Sequence, residues 1–420
     1  MNTNETTRSL RALITTIQPL DGGVPAMTRW LCKLLEEDNI ISTLAWYAPF
    51  RNYPALSVPL CQIGKKRPGT IMEFALNNNH SYGLGAWCPE FEFTHYFPRQ
   101  QWKELIRQND LHFVVSGNTL AATPYVFLKV PFVSWIATPW EADRENRIRT
   151  FSKQRRLLDS IINRPVLRFL EKRILRSQYA SVLALSSYTS VALERISKRQ
   201  VSDVMIMPVD EEVFKRDASK TKPWRIGFSG RYCDPRKNID LLLAAAKMVL
   251  QCKSHLRVVL VGDKDSKLVE NKIKKLGLQS YVTCYQHMNP NELSELLQSL
   301  DVFVIPSYQE GLCISALEAM ACGVPIISTY CGGPEEYVKP FQTGLLVDNS
   351  PTSLASAIIK VCSDRSMRNN LADACCRWIK ENASEERSRE ILRKHLYALI
   401  SKKNLVHQVP ESNTCWHNDS

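Results

Sequence analysis

The feature that most constrains the fold is a regular alternation of short apolar runs with longer helical ones in the second half of the chain. Short apolar runs of this kind, separated by helical segments, predict a parallel sheet with helices on both faces. The predicted strands are 224–230, 256–262, 281–285, 301–307 and 325–329, and the predicted helices between them are 238–250, 266–276, 290–299 and 313–322.

The first half follows the same pattern, so we predict a second sheet of the same kind. A helix at 25–37 carries a proline in its first turn, and a long basic helical stretch occupies about 144–178. A chain of 420 residues is about the length of two ordinary domains. The predicted strands of this half are 10–17, 40–46, 111–117, 131–138 and 181–186.

The polar, proline-bounded segment 207–224 separates the two halves. We therefore predict an α/β fold with one doubly wound domain at 1–206 and another at 207–384. The polar end of the chain, residues 402–420, is predicted to be disordered.

Composition narrows the class of protein. No apolar run approaches the roughly 18 to 20 residues that span a bilayer, and the first residues contain no apolar segment typical of a signal peptide. The 13 cysteines form no C-x-x-C pair, which disfavours a zinc site and favours reduced thiols in the cytoplasm. A net charge of +12 suggests an anionic partner, either a nucleotide or a membrane surface. The sequence contains no nucleic-acid-binding signature, so nucleic acid is not expected as a partner.

Two glutamates mark the candidate site. Glu310 falls in the loop after the strand at 301–307, and Glu318 falls within the next helix. Ligands of open α/β sheets bind at the carboxyl ends of the strands, and helical side chains lean toward the helix N-terminus. Gly311 permits a close approach of the backbone. Two carboxylates with several free amides suit a ligand that carries many hydroxyl groups.

The spacing of these glutamates, followed by AMACGVPIIST and GGPEEYV, resembles the family-four retaining glycosyltransferases of the GT-B fold, also described as glycosyl transferases group 1. The resemblance covers most of residues 10 to 350. It implies two Rossmann-like domains that face a deep interdomain cleft, and a helix at 385–401 that crosses back to the first domain. The other matching blocks are 21–35, 207–214, 227–246, 260–265 and 301–312.

The resemblance also implies an activity and a site. It implies transfer of a hexose from a nucleotide-diphosphate sugar to an acceptor hydroxyl, with the anomeric configuration retained and without a metal or other cofactor. The implied catalytic residues are Arg231 and Lys237, which bind the diphosphate, and Glu310, which lies beside the transferred sugar. Glu318 is implied to bind the ribose. The other implied donor-binding residues are Gly230, Gly262, Gly311, Leu312 and Cys313, and the implied acceptor and diphosphate loop contains Gly22 and Gly23.

The sequence departs from the family in the first domain. Many members carry a histidine where this chain has Ala137 and Thr138, and His112 is predicted to be an ordinary strand residue. The motif Asp263-Lys264-Asp265 mimics a metal-binding motif, but it is interpreted as the family's turn and not as a metal site. The residues that could line the first-domain wall instead of the histidine are Ser116, Gly117, Asn118, Thr138 and Asp143.

The stretch 144–177 interleaves apolar residues with arginine and lysine. Such a helix could lie on an anionic membrane, which would place the protein on the inner face of a membrane, or it could pack on its own domain with a solvated basic face. The expected partners are a nucleotide sugar and a carbohydrate or lipid-linked acceptor. The apolar positions at helical spacing are Ile148, Phe151, Leu157, Leu158, Ile161 and Ile162.

Three functions remain open at this point. The favoured one is a hexosyltransferase of surface polysaccharide, lipopolysaccharide or glycolipid biosynthesis. The others are a sugar-nucleotide epimerase of the same fold and a catalytically degenerate partner subunit. The sequence leaves open the sugar, the nucleotide, the acceptor, the linkage and the oligomeric state.

Overall fold

The computed structural model describes residues 9–17, 22–75, 79–148, 151–262 and 267–407. Its first sheet has eight strands in the order β3-β4-β2-β1-β5-β6-β7-β8. Within it only β3 and β4 pair antiparallel. The strands are β1 Arg11–Thr16, β2 Ile41–Tyr47, β3 Thr70–Ala75, β4 Asn79–Leu84, β5 Leu111–Ser116, β6 Phe132–Ile136, β7 Ala180–Ala184 and β8 Asp203–Val204.

Helices cover this sheet because their apolar residues recur at helical spacing. In α1, Met27, Leu31 and Leu35 are four residues apart, and all three are buried. The predicted basic helix is divided into α4, α5, a π-helical turn at Asp159–Asn163, and α6. The helices are α1 Gly23–Glu37, α2 Gln100–Gln108, α3 Thr123–Phe127, α4 Trp140–Ile148, α5 Lys153–Leu158, α6 Arg164–Leu175 and α7 Ser187–Ser197.

The second sheet has six parallel strands in the order β11-β10-β9-β12-β13-β14. Its strands are β9 Arg225–Ser229, β10 Arg257–Gly262, β11 Val282–Gln286, β12 Val302–Ile305, β13 Ile326–Thr329 and β14 Gly344–Val347. The helices that follow are α8 Ile239–Leu250, α9 Lys267–Leu276, α10 Pro290–Gln298, α11 Ile314–Ala321, α12 Pro351–Ser363, α13 Arg365–Asn382 and α14 Glu385–His407. The predicted α/β fold of two doubly wound sheets is confirmed.

Strand order decides where a ligand can bind in each sheet. In the second sheet β9 lies between β10 and β12, so the chain winds away from β9 in both directions. The loops after β9 and β12 therefore separate and leave a crevice at the carboxyl edge. This switch point contains Gly230 to Lys237 on one side and Ser307 to Cys313 on the other.

Several elements differ from the prediction. The hairpin of β3 and β4 was not predicted, and neither were β14, α12 and α13. Helix α14 continues to His407, six residues past the predicted start of the disordered tail at residue 402. Residues 408–420 lie outside the described residues. None of the helices in the described ranges combines the length and apolar character needed to span a bilayer.

The chain passes between the two domains twice, at neighbouring points. The Val209 N–H donates a hydrogen bond to the Ala383 carbonyl (3.1 Å), which joins the two crossings. The Ser388 hydroxyl donates to the Ile206 carbonyl (3.0 Å). Beyond this point α14 packs on the first domain. Its ion pairs there join Arg389 to Glu37, Arg393 to Asp38 and Lys394 to Asp203.

Candidate active site

The centre of the switch point in the second sheet is a buried ion pair. The Lys237 ammonium lies 2.6 and 2.8 Å from the two carboxylate oxygens of Glu310. The Ser307 hydroxyl donates a third hydrogen bond to the same carboxylate (2.6 Å). The side chains of Lys237 and Glu310 are only 14% and 7% exposed. Burial opposes the charge of Lys237, but the neighbouring carboxylate outweighs it and raises the pKa of the ammonium. The lysine therefore stays charged.

A short turn after β9 holds the lysine in place. The carboxylate of Asp234 accepts a hydrogen bond from the Arg236 N–H (3.0 Å) at the start of a 3-10 turn over Pro235–Lys237. Burial would raise the pKa of Asp234, but its bonds to Arg236 outweigh this and lower it to about 2. The guanidinium of Arg231 lies 3.6 Å from Asp234 with its side chain 63% exposed. It is thus a solvated cation, and Lys237 is a buried one.

Glu318 lies in a different environment from Glu310. It follows the start of α11 and is partly buried. Its carboxylate has no hydrogen-bond or ion-pair partner among the residues that the structure describes. Burial raises the pKa of this carboxyl to about 7. A partly buried carboxylate without a partner gains most from a ligand that brings hydroxyl donors.

Glycines end β10 and follow β9 at the carboxyl edge of the second sheet. A Cβ at Gly262 would lie 2.3 Å from the carbonyl oxygen of Gly230, so the two backbones touch. The φ angles of Gly230 and Gly262 are +147° and +143°, a region that residues with a side chain rarely adopt. The carboxyl ends of these strands therefore leave room for a ligand beside bare backbone. The next residues, Asp263 to Asp265, lie outside the described residues.

The loop from Gly311 to Cys313 leads into the N-terminus of α11. Cys313 has φ +67° and ψ +74°, an uncommon conformation for a residue with a side chain. Burial raises the pKa of its thiol to about 12, so the thiol is protonated at neutral pH and is a poor nucleophile. The side chain of Leu312 is buried, and its carbonyl accepts a hydrogen bond from the Tyr337 hydroxyl (2.7 Å).

The first domain approaches this loop closely. A Cβ at Gly311 would lie 2.3 Å from the carbonyl oxygen of Ala137, and one at Gly23 would lie 3.3 Å from Ile314. The Ser186 hydroxyl donates to the Gly311 carbonyl (2.7 Å). The Gln309 amide donates to the Thr138 hydroxyl (3.2 Å). The glycine loop that begins at Gly22 thus lies across the cleft from the Glu310 loop.

The remaining residues predicted to line the first-domain wall are found in different environments. A Cβ at Gly117 would meet nothing within 4 Å, so open space adjoins this residue, and Asn118 caps the turn after β5. The ring of His112 is buried and contacts the carbonyls of Ile106 and Pro131, as expected for a strand residue. The side chain of Asp143 lies outside the described residues. In the part of the chain that the structure describes, no group of three His, Cys, Asp or Glu side chains could hold a metal ion.

Several residues of this arrangement were not predicted from the sequence. Ser307, Ser186 and Gln309 each donate a hydrogen bond within the cleft, and Tyr188 packs against Gly332. Ser307 could have been found, because it ends the segment predicted as a strand, three residues before Glu310. Ser186 and Tyr188 follow β7 of the other domain, and no sequence spacing links them to the Glu310 loop.

Comparison with known proteins agrees with this geometry. Residues 209–377 match the family model described as glycosyl transferases group 1. A D-inositol 3-phosphate glycosyltransferase of Stackebrandtia nassauensis is 29% identical over 224 residues, which cover 48% of this chain and 50% of the relative. The chain therefore spans about half the length of this curated relative.

Solved structures match over nearly the whole chain. Sucrose-phosphate synthase from Thermosynechococcus elongatus has a TM-score of 0.71 at 19% identity and covers 94% of this chain and 100% of its own. Anabaena Alr3699/HepE, solved in complex with UDP-glucose, has a TM-score of 0.66 at 17% identity and covers 93% of this chain and 100% of its own. At these identities the likeness shows the fold, which is GT-B. Residues 209–377 are thus similar to the glycosyl transferases group 1 family, and the chain has the GT-B fold.

Proposed function

We propose that this protein is a retaining hexosyltransferase that moves a sugar from a nucleotide diphosphate to an acceptor hydroxyl, without a metal ion, in surface polysaccharide or glycolipid synthesis. The observation that carries the proposal is the pairing of Lys237 with Glu310 at the switch point, followed in α11 by the Glu318 carboxylate, which has no partner among the described residues. Cations suit the anionic middle of a nucleotide-diphosphate sugar, and carboxylates suit the hydroxyl groups at its two ends.

Each side chain has a role in this reaction. Lys237 and Arg231 stabilise the negative charge that develops on the diphosphate as it leaves. Glu318 accepts hydrogen bonds from the ribose hydroxyls. Glu310 orients a hydroxyl of the transferred sugar and stabilises positive charge on its ring. The Gly311–Cys313 backbone donates to the sugar, and the Gly22–Gly23 loop faces the acceptor and the diphosphate.

A solved relative supports the choice of ligand. Alr3699/HepE was crystallised with UDP-glucose, and it shares the GT-B fold with this chain. We therefore propose UDP-sugars as the first donors to test. The acceptor is proposed to be a carbohydrate or a lipid-linked saccharide.

Thermal stability measured with a panel of nucleotide sugars tests the donor site. A ligand that binds only the folded state raises the melting temperature. We expect one nucleotide diphosphate and its sugars to stabilise the native protein, and Lys237→Ala and Glu318→Ala to remove the effect. Glu381→Gln, an exposed change on α13, is the matched control. No shift with any nucleotide, with or without Mg²⁺, would favour the degenerate-subunit alternative.

Product analysis separates the remaining alternatives. Incubation with the identified donor and a soluble sugar acceptor should yield an α-linked product from an α-linked donor, seen by NMR. An epimerase would instead release free sugar or an epimerised donor in the absence of any acceptor. Full activity in excess EDTA would support the metal-independent reaction, and loss that Mg²⁺ restores would contradict it.

A further inference from the structure

An arginine of the first domain is buried without a partner. The three side-chain nitrogens of Arg99 are buried, and none has a hydrogen-bond or ion-pair partner among the residues that the structure describes. Burial lowers the pKa of this guanidinium to about 10, so the group stays charged at neutral pH. Buried charges are normally paired, because a buried charge has lost its hydration. Folding alone therefore does not explain why an arginine occupies this position.

A second donor without a partner lies next to Arg99. The indole Nε1 of the fully buried Trp102 has no acceptor within the described ranges. Arg99 directly precedes α2 and Trp102 is in its first turn, so the two side chains lie on one side of the helix. The Trp102 and Tyr47 ring centroids are 4.8 Å apart, and the charge of Arg99 acts on the Tyr47 hydroxyl. The unpartnered groups are all N–H donors, which suit an oxyanion.

The neighbouring polar groups are already engaged. The Tyr47 hydroxyl donates a hydrogen bond to the Ala121 carbonyl (3.0 Å). Glu92, in the 3-10 turn that precedes α2, pairs with Arg144. No described side chain caps the N-terminus of α2, and the first turn of this helix contains no acidic residue. The positive end of the helix dipole and the charge of Arg99 therefore act together, and both favour an anion that the described part of the chain does not supply.

Topology places this arginine at the edge of the sheet that faces the cleft. Helix α2 leads into β5, so it runs antiparallel to the strands and begins at their carboxyl edge. Tyr47 ends β2 at that edge, and Ala121 belongs to the turn after β5 that Asn118 caps. In the same loop the Gly117 carbonyl accepts a hydrogen bond from the N–H of Thr138, which contacts the second domain. A ligand bound to Arg99 would thus lie along the same edge as the open space at Gly117.

Sheet order separates Arg99 from the neutral groups that meet the second domain. Thr138 and Ser186 follow β6 and β7, whereas Tyr47 follows β2, and β1 and β5 lie between these two sets of strands. A ligand that spans this edge would therefore meet neutral groups at the end near the donor and a cation at its other end.

The guanidinium can turn toward such a ligand at little cost. Arg99 as a whole is only partly buried, although its nitrogens are buried. Its side chain has several rotatable bonds, and no hydrogen bond to a described residue holds it inward. An oxyanion at the edge would supply the hydrogen bonds that the buried charge lacks.

We propose that Arg99, with the indole N–H of Trp102 beside it, binds an oxyanion of the acceptor, either a carboxylate or a phosphate group. The acceptor is then an acidic saccharide or a sugar phosphate and not a neutral sugar. That the ligand is the acceptor rests on the proposed transferase function, whereas the binding of an oxyanion does not.

Thermal stability measured with three sugars tests the site. The probes are glucose, glucuronate and glucose 6-phosphate at millimolar concentration and equal ionic strength, because a ligand that binds only the folded state raises the melting temperature. We expect a charged sugar to stabilise the native protein and glucose not to do so. The charged sugar with the larger effect distinguishes a carboxylate from a phosphate. No shift with either charged sugar would overturn the proposal, as would an equal shift with glucose.

A variant of Arg99 assigns the effect to this residue. Arg99→Met should remove the shift caused by the charged sugar. It should also raise the melting temperature of the ligand-free protein by about 2 °C, because an unpaired charge is no longer buried. A lower melting temperature would show that the arginine is structural and would overturn the proposal. Arg107→Gln removes the same charge from the exposed far end of α2, and this matched control should change neither quantity.

A second variant tests the indole. Trp102→Phe keeps an aromatic ring but lacks the N–H, so it should weaken binding of the charged sugar by about fivefold. Unchanged affinity in this variant would overturn the role of Trp102.

The donor site must be tested in parallel, because an oxyanion could also bind near Lys237. Lys237→Ala should lose the shift caused by the donor nucleotide and keep the shift caused by the charged sugar, and Arg99→Met should do the reverse. Loss of the charged-sugar shift in Lys237→Ala would place the anion in the donor site and overturn the proposal. Nucleotide binding without charged-sugar binding refutes the acceptor subsite alone, and charged-sugar binding without nucleotide binding refutes the transferase function alone.

Discussion

The two sheet edges that face the cleft are built from different chemistry. The second-domain edge supplies the ionisable side chains of Lys237, Glu310 and Glu318. The first-domain edge meets it with the carbonyl of Ala137 and the hydroxyls of Thr138 and Ser186. Charged groups can hold a diphosphate and a ribose strongly, whereas neutral groups adapt to many hydroxylated acceptors. If the proposed function is correct, a few charged side chains fix the donor and the shape of a neutral edge fixes the acceptor.

The largest expected effect comes from the buried pair. Lys237→Met should lower kcat by roughly a thousandfold, because a fixed cation no longer faces the leaving diphosphate. It should also lower the free energy of unfolding by about 3 kcal/mol, because Glu310 is left buried without its partner. Steady-state kinetics and urea unfolding measure the two effects.

A double variant separates stability from activity. Lys237→Met with Glu310→Gln leaves no uncompensated charge, so the free energy of unfolding should return to within about 1 kcal/mol of the native value. Activity should stay low. Recovery of activity in the double variant would show that the pair is only structural, and the proposed difference between the two edges would then fail.

The next effect tests how closely the two edges meet. Gly311→Ala would place a Cβ 2.3 Å from the carbonyl oxygen of Ala137, so the cleft could not close as it does here. We expect kcat/KM to fall on the order of a hundredfold, because the reacting groups are displaced. Gly117→Ala is the matched control, since its Cβ would meet nothing within 4 Å. Similar losses in both variants would show that the approach of the edges has no special role.

A smaller effect concerns the pH dependence of Glu318. Its folded pKa of about 7 exceeds the ordinary value of 4.5, so the folded protein holds this proton more tightly than the unfolded chain. The stability that this contributes is complete below pH 4.5 and is lost as the pH rises to 7, by up to about 3 kcal/mol. Glu318→Gln should therefore be more stable than the native protein at pH 8 but not at pH 4.5, as measured by urea unfolding.

Ligand binding should show the opposite trend for the same residue. In the proposed donor site a ribose donates to the ionised carboxylate, so the native protein should bind the donor nucleotide more tightly at pH 8 than at pH 6. Titration calorimetry of Glu318→Gln measures the pH dependence that comes from the nucleotide's own ionisation, and this is subtracted from the pH dependence of the native protein. If the variant shows the same pH dependence as the native protein, Glu318 does not contact the nucleotide.

The smallest effect tests the neutral edge. Thr138→Val removes the acceptor of the Gln309 hydrogen bond, which contributes about 1 kcal/mol. Because this bond joins the two domains, we expect about a fivefold loss of kcat/KM with little change in the melting temperature. A loss as large as that of Lys237→Met would contradict the assignment of the dominant contribution to the charged edge.

The difference between the edges also explains what could be predicted from the sequence. The parallel strands of the second sheet were found because buried strands are continuous apolar runs. The positions of Glu310 in a loop and of Glu318 in the next helix could be predicted because both follow from local sequence pattern. The bond between Lys237 and Glu310 joins residues 73 positions apart, and only the sheet order places them together.

The elements that were missed have physical reasons as well. Strands β3 and β4 form an antiparallel edge hairpin, whose residues include threonine, glutamate, asparagine and histidine and do not form an apolar run. The contacts of Ser186 and Thr138 depend on how one domain meets the other. A hydroxyl carries no signature of such a partner in local sequence.

The two adjacent crossings between the domains have a mechanical consequence. Val209 and Ala383 belong to different crossings, yet their backbones are hydrogen-bonded, so both connections pass through one small region. Two bodies joined at one such region rotate about it as about a hinge. A few degrees of rotation there produce their largest displacement at the points farthest from the axis. We therefore expect the distance between the two cleft walls to vary while the geometry within each wall stays constant.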